Sequence, residues 1–410
     1  MIKRLALLVI MLLITTTTFA QQDENTWSAY LLDTIDYALV RIDADGTTDA
    51  FSLGLETDAY INQNEIVVSN DGTLVAYCKT TSETSKTLVI RDIVMTSNLQ
   101  EIDLGAVPTC AATAFSPDDM TLAVSIVHYP AFETTPDGEA RWSLNLLNVS
   151  DGTIQSTLND LNPNMPAYDL FGDDVPLLAD VKIFAEDSLT FWGIPFVGMG
   201  GPSYVPAYTW RLSDDSVTEQ PREYGIMGSD LLLPSGELIY PALDESLPAA
   251  QPEGPIPQAN VVELLRPEQD PITIFTIDGW IILNATFINN GQAIAVLSVP
   301  GFSEMATAQG LQSTRLDVIN RDGTATLVGS YVDSYATLEA VDGGMVVVHT
   351  PNPTLDGTYP PTQIAFWNGE TMQQIATYAP DYSNMWSPPQ LIWTSLSISD
   401  TDLAPFTAMN

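Results

Sequence analysis

The chain has 410 residues, with 52 acidic against 13 basic ones and a formal net charge of −39 at pH 7. A surface this negative repels phosphate backbones and anionic lipid, which argues against nucleic acid and acidic membranes as partners. The hydrophobic share of 45% supplies a sizeable core and excludes global disorder.

Met1-Ile2-Lys3-Arg4 is a short basic start, and Leu5 to Ile14 is an unbroken apolar run. Thr18-Phe19-Ala20 ends on a small residue before Gln21-Gln22. That order predicts a secretory signal peptide over residues 1–20 and an extracytoplasmic mature protein, periplasmic or secreted, over 21–410. No later apolar run is long enough to predict a membrane span after cleavage.

From Trp27 onward the sequence repeats itself. Trp27 to Leu53 holds three short strands. Glu65 to Leu104 holds four: Glu65–Ser69, Thr73–Cys78, Lys86–Asp92 and Leu99–Leu104. Val, Ile, Thr and Tyr dominate the strands and Asp-Gly or its relatives punctuate them, as in hairpins with tight turns. The turn after the first strand recurs at Asp71-Gly72, Asp118-Asp119, Glu186-Asp187, Ser235-Gly236, Asn290-Gly291 and Asp342-Gly343, with a weaker seventh at Ser399-Asp400. The turn after the third strand recurs at Asp45-Gly46, Ser97-Asn98, Asp151-Gly152, Asp214-Asp215, Glu268-Gln269, Asp322-Gly323 and Asn368-Gly369. Each series counts seven. Residues 259–265 read as a strand or a short helix. The chain finishes with a lone strand, Gln390 to Ile398, while the first module lacks its first strand. A C-terminal strand that completes the N-terminal sheet closes a ring and removes open edges. The expectation is an all-β fold, a single seven-bladed β-propeller over 21–410. Six or eight blades, or two β-sandwiches, are the alternatives.

Phe115-Ser116-Pro117-Asp118-Asp119-Met120-Thr121-Leu122-Ala123-Val124 resembles the Ser-Pro-Asp-Gly-x-x-Leu-Ala phrase of WD-like repeats in TolB-like bacterial propellers. Val68-Ser69-Asn70-Asp71-Gly72-Thr73-Leu74-Val75-Ala76-Tyr77 is a second close match, and the remaining modules match by pattern alone. The resemblance implies a propeller fold and, often, protein or peptide binding. It brings no catalytic residues, because the phrase is structural.

In a propeller the loops between second and third strands all leave one face. Here they are long: Tyr129–Arg141, Gly193–Tyr208, Asp244–Asn260, Val299–Gln312 and Thr350–Thr362. They carry the aromatics Tyr129, Phe132, Phe196, Tyr204, Tyr208, Phe302 and Tyr359. Aromatic side chains on proline-stiffened loops over a rigid scaffold are the composition of a protein-binding face. The alternative is that these loops cap the core. The uncharged stretch Gly193–Tyr208 suits a pocket or a partner contact, and does not fit a phosphate loop because no Lys follows its glycines.

His128 and His349 each end a second strand near the same face, in modules three and seven, and join the candidate binding residues. A metal site would require them to meet across the channel. Cys78 ends a second strand and Cys110 begins the next module's first strand, so a disulfide between adjacent blades is expected in an oxidising compartment. Asp43, Asp45 and Asp49 alternate around a glycine turn and offer oxygen ligands suited to calcium. They resemble the calcium hairpins of integrin-type propellers, except that Arg41 stands where the first acid belongs; an ordinary hairpin turn is the alternative. No Gly-x-Ser-x-Gly phrase supports a serine hydrolase. The leading expectation is a non-catalytic exported propeller that binds a protein or peptide partner, with no cofactor. The alternatives are a glycosidase or lyase using carboxylates at the channel mouth, and a calcium-stabilised cell-surface module.

Overall fold

The computed structural model describes residues 27–33, 36–55, 65–80, 85–166, 175–196, 205–221, 237–244, 259–266, 269–300, 313–332, 334–352, 360–379, 389–395 and 406. The expected signal peptide, Ser235-Gly236, Glu268 and Ser399-Asp400 lie outside them.

Seven antiparallel sheets form the blades of a propeller. Blade 1 contains β1 (Ser28–Asp33), β2 (Ala38–Asp43) and β3 (Thr48–Ser52). Its innermost strand is the last one among the described residues, β27 (Gln390–Thr394), which pairs antiparallel with β1. Ser395 N–H donates to Ser28 O at 2.9 Å, and Ser28 N–H to Ser395 Oγ at 2.7 Å. The ring therefore closes as the two sequence ends imply.

Blade 2 runs β4 (Ile66–Val68), β5 (Leu74–Thr80), β6 (Lys86–Asp92), β7 (Asn98–Gly105). Blade 3 runs β8 (Thr109–Phe115), β9 (Thr121–Val127), β10 (Trp142–Asn148), β11 (Ile154–Asn159). Blade 4 runs β12 (Leu177–Phe184), β13 (Ser188–Pro195), β14 (Ala207–Arg211), β15 (Ser216–Glu219). Blade 5 shows three strands among the described residues: β16 (Leu238–Ala242), β17 (Val261–Leu265) and β18 (Ile272–Thr276). The segment left open between strand and helix is thus the strand β17. Blade 6 runs β19 (Trp280–Ile288), β20 (Ala293–Pro300), β21 (Ser313–Asn320), β22 (Ala325–Val332). Blade 7 runs β23 (Ser334–Val341), β24 (Gly344–Pro351), β25 (Thr362–Trp367), β26 (Met372–Tyr378).

Burial explains why the middle strands read as continuous apolar runs. Each blade is covered on both faces by its neighbours, so β9 and β10 are buried at almost every position. The outermost strands β3, β7, β11 and β26 meet water and are polar. Apolar side chains interlock at the seams. Ala76, Leu88 and Ile90 of blade 2 meet Phe115, Val124 and Ile126 of blade 3. Tyr30 and Leu39 of blade 1 meet Val75 and Tyr77 of blade 2.

The repeated turns have a common chemistry. In blades 2 and 3, Ser69 and Ser116 hydroxyls donate to Asp71 and Asp118, while accepting the backbone N–H of Leu74 and Thr121. At the turns after the third strand, Asp45, Asp151, Asp214 and Asp322 accept the N–H two residues on, from Thr47, Thr153, Ser216 and Thr324. These are Asx turns, in which a short carboxylate replaces a backbone acceptor. Gly46 takes a φ of 85°, and a β-carbon there would lie 2.4 Å from Ile375 O of blade 7, so the position needs glycine twice over.

Candidate functional site

Strand polarity puts all connections from second to third strands on one face. The blade 3 loop, residues 128–141, is described throughout and shows how that face is built. Arg141 is its clasp. Its carbonyl accepts from His128 N–H at 2.7 Å and Tyr129 N–H at 3.2 Å. Its own N–H donates to the Asp160 carboxylate at 3.0 and 3.1 Å, and its guanidinium donates to Glu133 O at 3.0 Å. The Tyr129 hydroxyl donates to Glu139, and that bond, with the negative charge beside it, raises the phenol pKa. The tip is Phe132, 73% exposed, at a φ of 64° that a β-carbon residue adopts only at a cost.

Below the loop lies a directed hydrogen-bond chain between strands. Thr157 Oγ1 donates to Asn145 Oδ1 at 2.9 Å, and Asn145 Nδ2 donates to Ser143 Oγ at 2.8 Å. Ser143 Oγ and His128 Nε2 are 2.9 Å apart. Ser143 Oγ accepts from Asn145 and still has a second lone pair and its own hydrogen, so the contact suits either tautomer of His128. Burial lowers the His128 pKa against the pull of Asp160 and Glu139. Ser143 is buried near the start of β10, so this serine–histidine pair is a packing device rather than an exposed nucleophile.

The same seam holds the disulfide between Cys78 and Cys110, whose Cα atoms are 5.9 Å apart. Beside it Glu65 receives hydrogen bonds from Thr109 Oγ1 at 3.1 Å and Lys86 Nζ at 3.4 Å, all three residues being buried.

The remaining expected site residues are scattered. Tyr208 departs from the loop expectation: it lies in β14, is buried, and packs 5.6 Å from the Phe191 ring. Gly193–Pro195 and Ala207–Tyr208 are strand, so the connection is shorter at both ends than the sequence suggests. Phe196 is half-buried, with its N–H on Pro176 O at 2.9 Å. Tyr204, Phe302 and Tyr359 lie outside the described residues. His349 is half-buried, 4.5 Å from the Tyr331 ring, and its Nε2 makes no hydrogen bond among the described residues. Burial lowers its pKa although Gln363 bonds to it. It belongs to the blade 6–7 seam, and His128 to the blade 2–3 seam.

At the alternating acids, Asp43 accepts from Arg41 Nε at 2.8 Å and Ser28 Oγ at 2.6 Å. Asp45 is engaged by Thr47, and Asp49 stands opposite Arg41 in the sheet. Among the described residues no group of three or more His, Cys, Asp or Glu is placed to hold a metal ion. Sequence reading missed Glu139, Arg141, Ser143, Asn145 and Thr157. Their one signal is the polar pair Ser143 and Asn145, alternating with the apolar Trp142, Leu144 and Leu146 in β10.

No family model matches this sequence, and no curated protein matches it. Solved structures do match. A prolyl endopeptidase is 11% identical over 90% of this chain and 50% of its own, with a TM-score of 0.51. Prolyl oligopeptidase B from Galerina marginata is 11% identical over 90% of this chain and 51% of its own, with a TM-score of 0.52. The β-propeller domain of the Trilobed protease from Pyrococcus furiosus is 12% identical over 88% of this chain and 96% of its own, with a TM-score of 0.49. The chain spans about half the length of the two prolyl peptidases. At such identities the likeness is one of fold alone.

Proposed function

We propose that this chain is an exported propeller that binds a protein or peptide through its loop-rich face and performs no chemistry of its own. The observation that carries the reading is Phe132, an exposed aromatic at positive φ on a loop clasped by Arg141 and the Tyr129–Glu139 bond. A ring held out rigidly loses little entropy on binding, which is how aromatic anchors concentrate affinity. The Asx turns and the closing strand supply the rigid frame beneath it.

The test uses residues 21–410 as bait in extracts of the cell envelope and growth medium, read by mass spectrometry at two salt concentrations. Phe132→Ala and a Gly-Ser replacement of residues 197–204 are run beside it. One protein retained at high salt by the wild type and lost by either variant supports the reading. Equal capture by all three baits removes it. Turnover on a polysaccharide panel would instead favour carboxylate chemistry at the channel mouth. Amino-terminal sequencing of the protein recovered outside the cytoplasm tests export, with Gln21 as the expected first residue.

A further inference from the structure

On the opposite face, where the short turns lie, blades 5 and 6 form a pocket that the sequence does not announce. Glu237 enters β16, Arg266 leaves β17 and Arg321 leaves β21. One carboxylate holds both guanidiniums: Arg266 Nε donates to Glu237 Oε1 at 3.0 Å, and Arg321 Nη2 to Glu237 Oε2 at 2.9 Å. Glu237 and Arg321 are buried. Arg321 Nε is also fixed by Gly291 O at 2.7 Å. Two of the chain's thirteen basic residues thus converge on a single acid, giving a local positive charge on a strongly negative protein.

What fills this pocket is a residue of the chain's own carboxy-terminal tail. Phe406, eleven positions beyond Ser395, is 3% exposed. Its ring lies 4.3 Å under the Arg321 guanidinium and 6.4 Å from the Phe287 ring. Its carbonyl accepts from Arg266 Nη2 at 3.0 Å. One arginine stacks on the ring, the other reads the backbone of the same residue, and a shared buried carboxylate orients both. This is the chemistry of peptide recognition, and Phe406 adds no strand to any blade.

We propose that Glu237, Arg266, Arg321 and Phe287 form a peptide pocket specific for a phenylalanine and its own carbonyl, and that the tail around Phe406 is a releasable ligand filling it in cis. The pocket lies on the face opposite the loop-rich one, so it stands independently of the binding role proposed there.

The test uses the chain ending at Thr401 and a fluorescent, amino-terminally acetylated peptide of residues 402–410. Fluorescence polarisation should show saturable binding to the shortened chain and binding at least about tenfold weaker to the full chain, whose own tail competes. A peptide carrying Phe406→Ala, or a shortened chain carrying Arg321→Ala, should also lose about tenfold or more. Equal binding to both chains, or equal binding of both peptides, overturns the proposal. Should the shortened chain fail to fold, full-length Phe406→Ala replaces it: the wild-type peptide must bind that variant more tightly than the wild-type chain, and equal binding again overturns it.

Discussion

The side-chain amide of Asn70 donates to Asp119 Oδ1 at 2.7 Å, tying the first turn of blade 2 to the first turn of blade 3. The backbone N–H groups of Asn70 and Asp71 reach the same carboxylate at 2.8 and 3.1 Å. Asp119 has a φ of 58°, in the turn position that Gly72 fills one blade earlier. The chain accepts an unfavourable backbone there and gains a link between blades. Asp119→Ala keeps the strain and loses the link, so it should destabilise by roughly 1–2 kcal/mol. Asp119→Gly relieves the strain and should fall between wild type and Ala. Urea unfolding of the three proteins checks the order; a glycine variant as unstable as alanine would show that the strain is negligible.

Reducing the disulfide between Cys78 and Cys110 should cost about 3–4 kcal/mol, because it closes a loop spanning a sequence separation of 32. The bond joins adjacent blades, so the loss should appear as slackening of the blade 2–3 seam. Hydrogen exchange of β8 and β9 with and without reductant checks this. Unchanged protection there would mean that packing alone holds the seam.

Acid should destabilise the ring in two stages. His128 and His349 have pKa values lowered chiefly by burial, so the unfolded chain takes up protons first. Stability is fully present above the unfolded histidine pKa of about 6.5 and declines as pH falls through the folded values. Below that, Asp45, Asp118, Asp151, Asp214 and Asp322 come into play. Hydrogen bonds from Thr47, Ser116, Thr153, Ser216 and Thr324 hold their pKa values down, so each contributes stability above the unfolded carboxylate pKa and loses it as pH falls through its folded one. Melting temperatures across the acid range, for wild type and His128→Gln, separate the stages. The variant should flatten the upper limb and leave the lower one intact.

Phe132 should be nearly irrelevant to stability and important for binding. At 73% exposure its truncation to Ala should change unfolding free energy by less than about 0.5 kcal/mol. Phe132→Gly should sit at or slightly above wild type, since relief of the positive φ opposes the added freedom of the unfolded chain. Both variants should lose the salt-resistant partner. A large drop in stability with Ala would make the ring a cap on the core.

Much of the architecture was legible because each blade is made from neighbouring segments joined by tight turns. The four strands of blade 2, β4 to β7, fall within a few residues of their predicted bounds, and the unpaired strands at the two ends state their own partnership. What was not legible depends on contacts between blades. Glu237, Arg266 and Arg321 are far apart in the chain, and nothing in their local sequence marks them as one cluster. Tyr208 was misplaced because Pro206 and the glycines before it signal a loop. The run Ala207-Tyr208-Thr209-Trp210 is strand, with its aromatics turned inward.

The pairing of β27 with β1 has a temporal consequence. The Ser28–Ser395 bond spans 367 residues, so the ring has no closed form until Ser395 has been made. Until then the amino-terminal blade exposes an unpaired β1 edge to every other strand in reach. Completion should be a late, slow and all-or-none event, sensitive to anything appended near the last strand. A fusion at the carboxy terminus would burden that final step, whereas one ahead of Trp27 would leave it free.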